Sequence, residues 1–298
     1  MSFADLKSKS QSLDTLISAA SKEVVNTQAI SEDRFWKPEV DKAGNGYAVL
    51  RFLPAPEGEN IPWVKYWSHG FKGPNGQWFI ENCRTSLNGE ACPACESNNT
   101  LWNSGNDDDK VTARQRKRRL HYISNVFVVS DPANPQNEGK VMLFKYGKKI
   151  FDKLMDVMQP QFADEKPVNP FDLWVGADFK LKIRQVEGYR NYDKSEFSSS
   201  SELLDGDESA LESVYNRMYS LNEFIDPSSY KSYAELKTRL VAVLGESGGA
   251  FSTAEAIQLD TSSPVSDYEQ SFGSAPASTQ AEDSGDDALS YFSKLANS

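Results

Sequence analysis

The sequence predicts an α+β chain that is mainly β: an antiparallel barrel or sandwich with a metal-binding subdomain, then a helical C-terminal part, with flexible termini. Three observations lead there. Short runs of β-branched and aromatic residues recur between 46 and 186, bounded by Gly, Pro, Asn or Asp. Helical spacing takes over between 207 and 244. From Gly245 onward Ser, Gly, Ala, Thr, Pro and acids dominate, a composition too poor in large apolar side chains to build a core.

Residues 1–30 are rich in Ser, Ala and Lys. Leu13, Leu16, Ile17 and Val24 permit one short amphipathic helix starting near Ser12 or Asp14, and the segment reads as an arm that orders on contact. The core, 31–245, opens near Phe35-Trp36. A turn at 41–46 leads into a strand, Tyr47 to Leu53, stopped by Pro54. Strands at Trp63 to Trp67 and Gln77 to Ile80 flank the turn Gly73-Pro-Asn-Gly76. Tyr122 to Val129 is strongly β-branched and aromatic, and Lys140 to Tyr146 is its hairpin partner. Ile150 to Met158 reads as a short helix and Phe179 to Val186 as another strand. Leu211, Val214, Tyr215, Met218 and Leu221 mark one helical stretch, and Tyr233, Leu236, Leu240, Val243 and Leu244 a second.

All three cysteines lie within thirteen positions, and one of the two histidines stands just upstream. His69, Cys83, Cys92 and Cys95 read H-x13-C-x8-C-x2-C, four soft ligands for one tetrahedral zinc, within a subdomain spanning about 65–115. Four protein ligands leave no position for a reactive water, so the site reads as structural. A redox role for the C-x2-C pair is the competing reading; such pairs open a helix, and the Gly/Asn-rich surroundings do not suggest one. His121 is the alternative histidine ligand, but it lies in a basic strand where stacking or hydrogen bonding is the commoner role. Asp107-Asp-Asp109 reads as a solvated acid run.

Net charge is −11, unevenly spread. Residues 110–153 carry eleven bases and three acids, whereas 246–298 carry nine acids and one base. A basic centre with an acidic end implies a polyanionic partner and a tail able to compete with it. Arg114, Arg116, Lys117, Arg118 and Arg119 put five bases in six residues, and Lys145, Lys148, Lys149 and Lys153 form a second cluster. In 179–184 apolar Phe179, Leu181 and Ile183 alternate with Lys180, Lys182 and Arg184, giving one buried and one cationic strand face. Tyr189, Arg190 and Tyr192 follow. Cations with interleaved rings suit single-stranded nucleic acid, the charges tracking phosphates while rings stack on bases. A solvated strand face is the bland alternative. No run of about 18 apolar residues suggests a membrane span, no secretory signal is evident at the N-terminus, and no nucleotide-binding or hydrolase motif occurs. A zinc-ribbon factor reading duplex DNA and a metal-dependent nuclease are the rival functions.

Several motifs are similar to one family. Asp41-x-Ala-Gly-Asn-Gly-x-Ala-Val-x-Arg-Phe-Leu-Pro54, Ser68-His-Gly-Phe71 and Cys92-Pro-x-Cys95 occur in its order, followed by Asp131-Pro-Ala-x-Pro-x-Asn-Glu-Gly-Lys140, Tyr146-Gly-Lys-Lys149 and Asn191-Tyr-Asp193. Over about 31–245 the chain resembles the single-stranded DNA-binding (helix-destabilising) proteins of T-even-type bacteriophages. The resemblance implies an OB-like fold with a zinc-bearing subdomain, acting in replication, recombination and repair in the cytoplasm of the infected bacterial host. It places zinc on His69, Cys83, Cys92 and Cys95. It places base stacking on Tyr122, Phe144, Tyr189, Tyr192 and Trp102, beside the basic residues Lys117, Arg118 and Arg119. It further implies cooperative, head-to-tail self-association through the N-terminal arm, where Lys7, Ser8, Lys9 and Ser10 are the nearest match to the family's basic motif. The acidic tail, 246–298, would recruit other phage replication and recombination proteins, with Leu289, Phe292 and Leu295 as a short apolar edge. Glu90 and Val111 stand where the family has aromatics.

Overall fold

The computed structural model of the protein describes residues 32–162 and 164–245. The N-terminal arm with Lys7, Ser8, Lys9 and Ser10, and the acidic tail, lie outside them. The described residues fall into a large unit, 32–185 and 190–245, and a short turn, Val186–Tyr189. Nine strands form one sheet: β1 (Phe35–Trp36), β2 (Gly46–Phe52), β3 (Val64–Lys72), β4 (Trp78–Asn82), β5 (Arg119–Ser130), β6 (Val141–Tyr146), β7 (Ala177–Val186), β8 (Tyr189–Asn191) and β9 (Glu196–Ser200). The order is β1-β6-β5-β2-β7-β8, with β3 joining β4 to β5 and β9 lying on β7. Five α-helices accompany it among the described residues: α1 (Pro93–Trp102), α2 (Asp107–Arg116), α3 (Lys148–Met158), α4 (Glu208–Tyr215) and α5 (Tyr233–Leu244). None is long and apolar enough to cross a membrane.

The alternation in 179–184 does what a period of two requires. Phe179, Leu181 and Ile183 are buried, while Lys180, Lys182 and Arg184 point to the other face. They meet Ala48, Leu50 and Phe52 of β2 and Phe144 and Tyr146 of β6 in one core, covered by Ile150 and Leu154 of α3. In a flat sheet β2 and β6 would be about 10 Å apart, two strand spacings. The Phe52 ring nevertheless lies 5.6 Å from Tyr146 and 6.3 Å from Phe144. The sheet therefore curls around this core. It is an open sheet among the described residues, a coarser arrangement than the OB-like barrel that the resemblance implies. Its path ends in β1 and β8, of two and three residues, and no pairing joins them.

Strand β5 ties the molecule together. Arg119 to Ile123 pairs with β3, Tyr122 to Phe127 with β6, and Val126 to Ser130 with β2. A buried cation supports the far side of β2: Arg51 reaches Asp178 at 2.8 Å and donates to the Ser201 carbonyl at 3.1 Å and hydroxyl at 3.0 Å.

Two helices correct the sequence reading. The Cys92–Cys95 pair does open a helix, with Cys92 at the N-cap of α1 and Pro93 in its first turn. The acid run 107–109 is the first turn of α2, capped by Asn106, whose side chain accepts from the Asp108 N–H at 3.0 Å. Arg114 and Arg116 occupy the last turn, so the charges match the helix dipole at both ends. The basic run is thus the end of a helix passing into a strand.

Helix α5 is held by a capping box, Ser232 with Glu235, and ends at Gly245 in the left-handed region. Its Leu236, Leu240, Val243 and Leu244 pack on Phe71, Phe79, Cys83, Cys92 and Ala94. The contact is close: a Cβ on Gly73 would stand 2.0 Å from the Val243 carbonyl oxygen. The C-terminal helix is therefore part of the cysteine-bearing module, although that module is otherwise built from residues far earlier in the chain.

Candidate metal centre and nucleic-acid interface

His69 lies on β3, Cys83 directly follows β4, and Cys92 and Cys95 begin α1. The hairpin and the helix start bring four ligand atoms within 4.8 Å of one another. His69 Nε2 is 3.5 Å from both Cys92 Sγ and Cys95 Sγ, and Cys83 Sγ is 3.5 Å from Cys95 Sγ. Tetrahedral coordination at ordinary metal–sulfur and metal–nitrogen lengths separates such donors by about 3.5–3.8 Å. The donor set thus fits one tetrahedral metal ion. His121 is not part of it; its Nε2 is 2.8 Å from Ser68 Oγ and its ring lies against Tyr66.

Electrostatics inside the cluster agree with that fit. Burial opposes a charge on His69, yet the neighbouring Cys83 and Cys92 raise its imidazole to about 9. Hydrogen bonds with Cys92 and Cys95 hold the Cys83 thiol far below its ordinary range, while those with Cys83 and Cys92 push Cys95 upward. Four donors crowded together compete for the same protons, a conflict that one dication would resolve by replacing them. His69 Nδ1 is buried without a hydrogen-bond partner in the protein.

The basic run meets the rings of this module. Arg114 Cζ lies 5.3 Å from the centre of the Trp102 ring, Arg116 Cζ 5.6 Å from Phe71, and Arg118 Cζ 4.3 Å from Trp67. Cation–ring contacts of this kind hold a guanidinium in place without neutralising it. Trp102 is 42% exposed. Lys117 is exposed, and Arg119 is half-buried at the start of β5. The sequence showed the five bases but not their partners: Trp67 and Phe71 flank the ligand His69, and that position was the available signal.

The other candidates divide differently. Tyr122 and Phe144 are only 6% and 2% exposed. Phe144 stands edge-on to Trp36 at 5.2 Å, and Tyr122 is stacked on Phe151 at 4.0 Å and 4°. In this structure both rings are core rings, because the curl of the sheet turns their face inward. Lys145, Lys148 and Lys149 are exposed, with Lys148 paired to Asp152 at 2.8 Å. On β7, Lys180 and Lys182 are half-buried and Arg184 exposed, but Lys182 is paired to Glu196 at 2.7 Å and Arg184 to Asp193 at 2.9 Å. The face read as fully cationic therefore carries acids from β9 and the turn before it. Glu196 and Asp193 are both held below the usual carboxylate range, by Lys182 and Arg184 respectively. Arg190 is exposed and Tyr192 half-buried. In the turn Val186–Tyr189, Glu187 and Gly188 both have positive φ, as a tight two-residue hairpin turn requires, and Tyr189 is 66% exposed. Tyr47, which sequence reasoning missed, is 46% exposed and lies opposite Lys182 in the β2–β7 register.

A family model described as gp32 DNA binding protein like matches residues 44–244. The chain is 41% identical over 233 residues to a single-stranded DNA-binding protein of Enterobacteria phage T2, and to one of Enterobacteria phage T4. Each alignment covers 75% of this chain and 75% of the relative. A single-stranded DNA-binding protein of Escherichia phage SV14 is 44% identical over 90 residues, covering 28% of this chain and 78% of the relative.

Proposed function

Because the chain belongs to the gp32 DNA binding protein like family, we propose that it is a non-enzymatic protein that binds single-stranded DNA without sequence preference in phage DNA replication. The observation that carries this reading is the row of arginines, Arg114, Arg116 and Arg118, each set on a ring of the cysteine module. Such a row offers positive charge at fixed positions, which phosphate tracking needs. Binding an exposed strand and not its duplex shifts the duplex–single strand equilibrium by mass action.

The finer parts of the reading are as follows. The ion at His69, Cys83, Cys92 and Cys95 is one structural Zn2+, which would fix β3, the β4 end and α1 in one arrangement. The curled sheet is the OB-like part. Phosphates meet the basic run, Lys145, Lys149, Lys180 and Arg190. Tyr189, Tyr192, Trp102 and Tyr47 are the accessible rings, and Tyr122 and Phe144 become stacking surfaces only if the core rings over them move. Cooperative self-association through residues 1–30, partner recruitment through 246–298, roles in recombination and repair, and residence in the host cytoplasm complete it.

The test is a titration of the protein into fluorescent oligo(dT) and a matched duplex at several salt concentrations. Tight, steeply salt-dependent binding to the single strand is expected. Preference for the duplex would overturn the function and favour a duplex-reading zinc factor.

A further inference from the structure

Cys83 Sγ lies 3.1 Å from Thr85 Oγ1, and Arg118 Nη1 donates to that same hydroxyl. Arg118 is also seated over Trp67, whose carbonyl accepts from the Cys83 N–H at 2.8 Å and whose own N–H donates to Ser86 Oγ at 2.8 Å. Both supports of one guanidinium are thus anchored on the segment that carries a metal ligand. A metal-bound thiolate accepts hydrogen bonds and cannot donate them. The Thr85 hydroxyl has one proton, so with Cys83 ligated that proton goes to the sulfur and the oxygen lone pairs face Arg118.

We propose that Thr85 is a positioning residue that transmits the seating of Cys83 in the metal centre to Arg118, so that metal occupancy sets the aim of one phosphate-binding arginine. This inference rests on the single-stranded DNA reading, and its geometry is local: ligand, hydroxyl, guanidinium, indole. Arg118 is neutralised by none of these partners and keeps its charge for a phosphate.

The experiment uses the full chain loaded with zinc, and labelled oligo(dT) read by anisotropy. Arg118→Gln and Thr85→Val should each weaken binding by a similar factor, with the double variant within twofold of either single variant, and Thr85→Ser should restore binding. Losses that multiply in the double variant, or wild-type affinity in Thr85→Val, would overturn the proposal. A second comparison does not depend on how Thr85→Val folds. Stripping the metal should cost wild type a larger factor in affinity than it costs Arg118→Gln, and equal losses sink the link. A third readout involves no DNA. In the cobalt-substituted protein, Thr85→Val at one cobalt per chain should move the thiolate-to-metal absorption band, and an unmoved band contradicts the Thr85–Cys83 contact. Wild-type protein that fails to bind oligo(dT) would overturn the DNA reading, while the cobalt band would still decide whether Thr85 touches the ligand.

Discussion

Glu196→Gln should make this protein a steeper-responding DNA binder, and Lys182→Gln should leave its salt response almost unchanged. Sequence alone puts Lys182 on the same footing as Arg118, as one cation of a phosphate track. In the structure Lys182 Nζ is 2.7 Å from Glu196, whereas the described partners of Arg118 are a hydroxyl and an indole. A cation committed to a carboxylate releases no counterion from DNA. For single strands each phosphate contact contributes about 0.7 to the slope of log affinity against log salt, or about 2.6-fold in affinity between 50 and 200 mM. Arg118→Gln should therefore flatten the slope by about 0.7, and Glu196→Gln should steepen it by a similar amount by freeing Lys182. The double variant Lys182→Gln/Glu196→Gln should return to the wild-type slope. Both side chains of the pair are well exposed, so their loss should hardly change stability. Anisotropy titrations of oligo(dT) at four or five salt concentrations give the slopes directly. Equal flattening by Lys182→Gln and Arg118→Gln, with no gain from Glu196→Gln, would mean that the pair opens on DNA and that the reasoning is wrong.

Other consequences can be measured on the free protein. Chelator should lower the melting temperature of the zinc-loaded protein by about 10 °C, since several kcal/mol of ligation would hold the α5 packing surface and a chain of this size loses about 2–4 °C per kcal/mol; a calorimetric melt unaffected by chelator would show that the four donors hold together unaided. Arg51→Met leaves Asp178 and the Ser201 carbonyl without their cation, and should cost about 3–5 kcal/mol in urea unfolding; a loss below about 1 kcal/mol would show that the buried network is dispensable. Burial, with Lys145 and Arg119 nearby, lowers His121 to about 3. The unfolded chain then binds a proton that the folded one refuses, so stability is full above the unfolded value near 6.5 and falls as pH drops from there toward 3. His121→Gln should flatten the melting temperature over that window relative to wild type, and parallel curves would refute the assignment.

Much of the sheet was legible because strand chemistry is local. Phe179, Leu181 and Ile183 announce a buried face by alternation alone, and Asp131-Pro132 marks where β5 must stop. The cluster of His69, Cys83, Cys92 and Cys95 was legible because the chain offers just three cysteines at metal spacing. Helices α1 and α2 were not, since neither has an apolar stripe: α2 buries only Ala113 among its ten residues. Their signals lie instead at the ends, in Pro93 behind Cys92 and in Asn106 ahead of three acids. The burial of Phe144 and the pairing of Lys182 with Glu196 depend on how far the sheet curls and where β9 lands, and no window of sequence contains either. The dependence of the cysteine module on α5 is of the same kind: Asn75 Nδ2 donates to the Ala242 carbonyl across 167 positions.

That last contact orders events during synthesis. Ribosomes release the hairpin of β3 and β4, all four ligands and both module helices long before α5 exists. Until Leu236 to Leu244 emerge, Phe71 and Phe79 lack the part of their cover that α5 supplies, and exposed apolar surface of this sort promotes association between unfinished chains. The packing around the four donors is thus completed by the last of the described residues to be translated. A stop codon meant to remove only the tail must fall after Gly245, because one placed even three turns earlier would release a chain with its module unroofed.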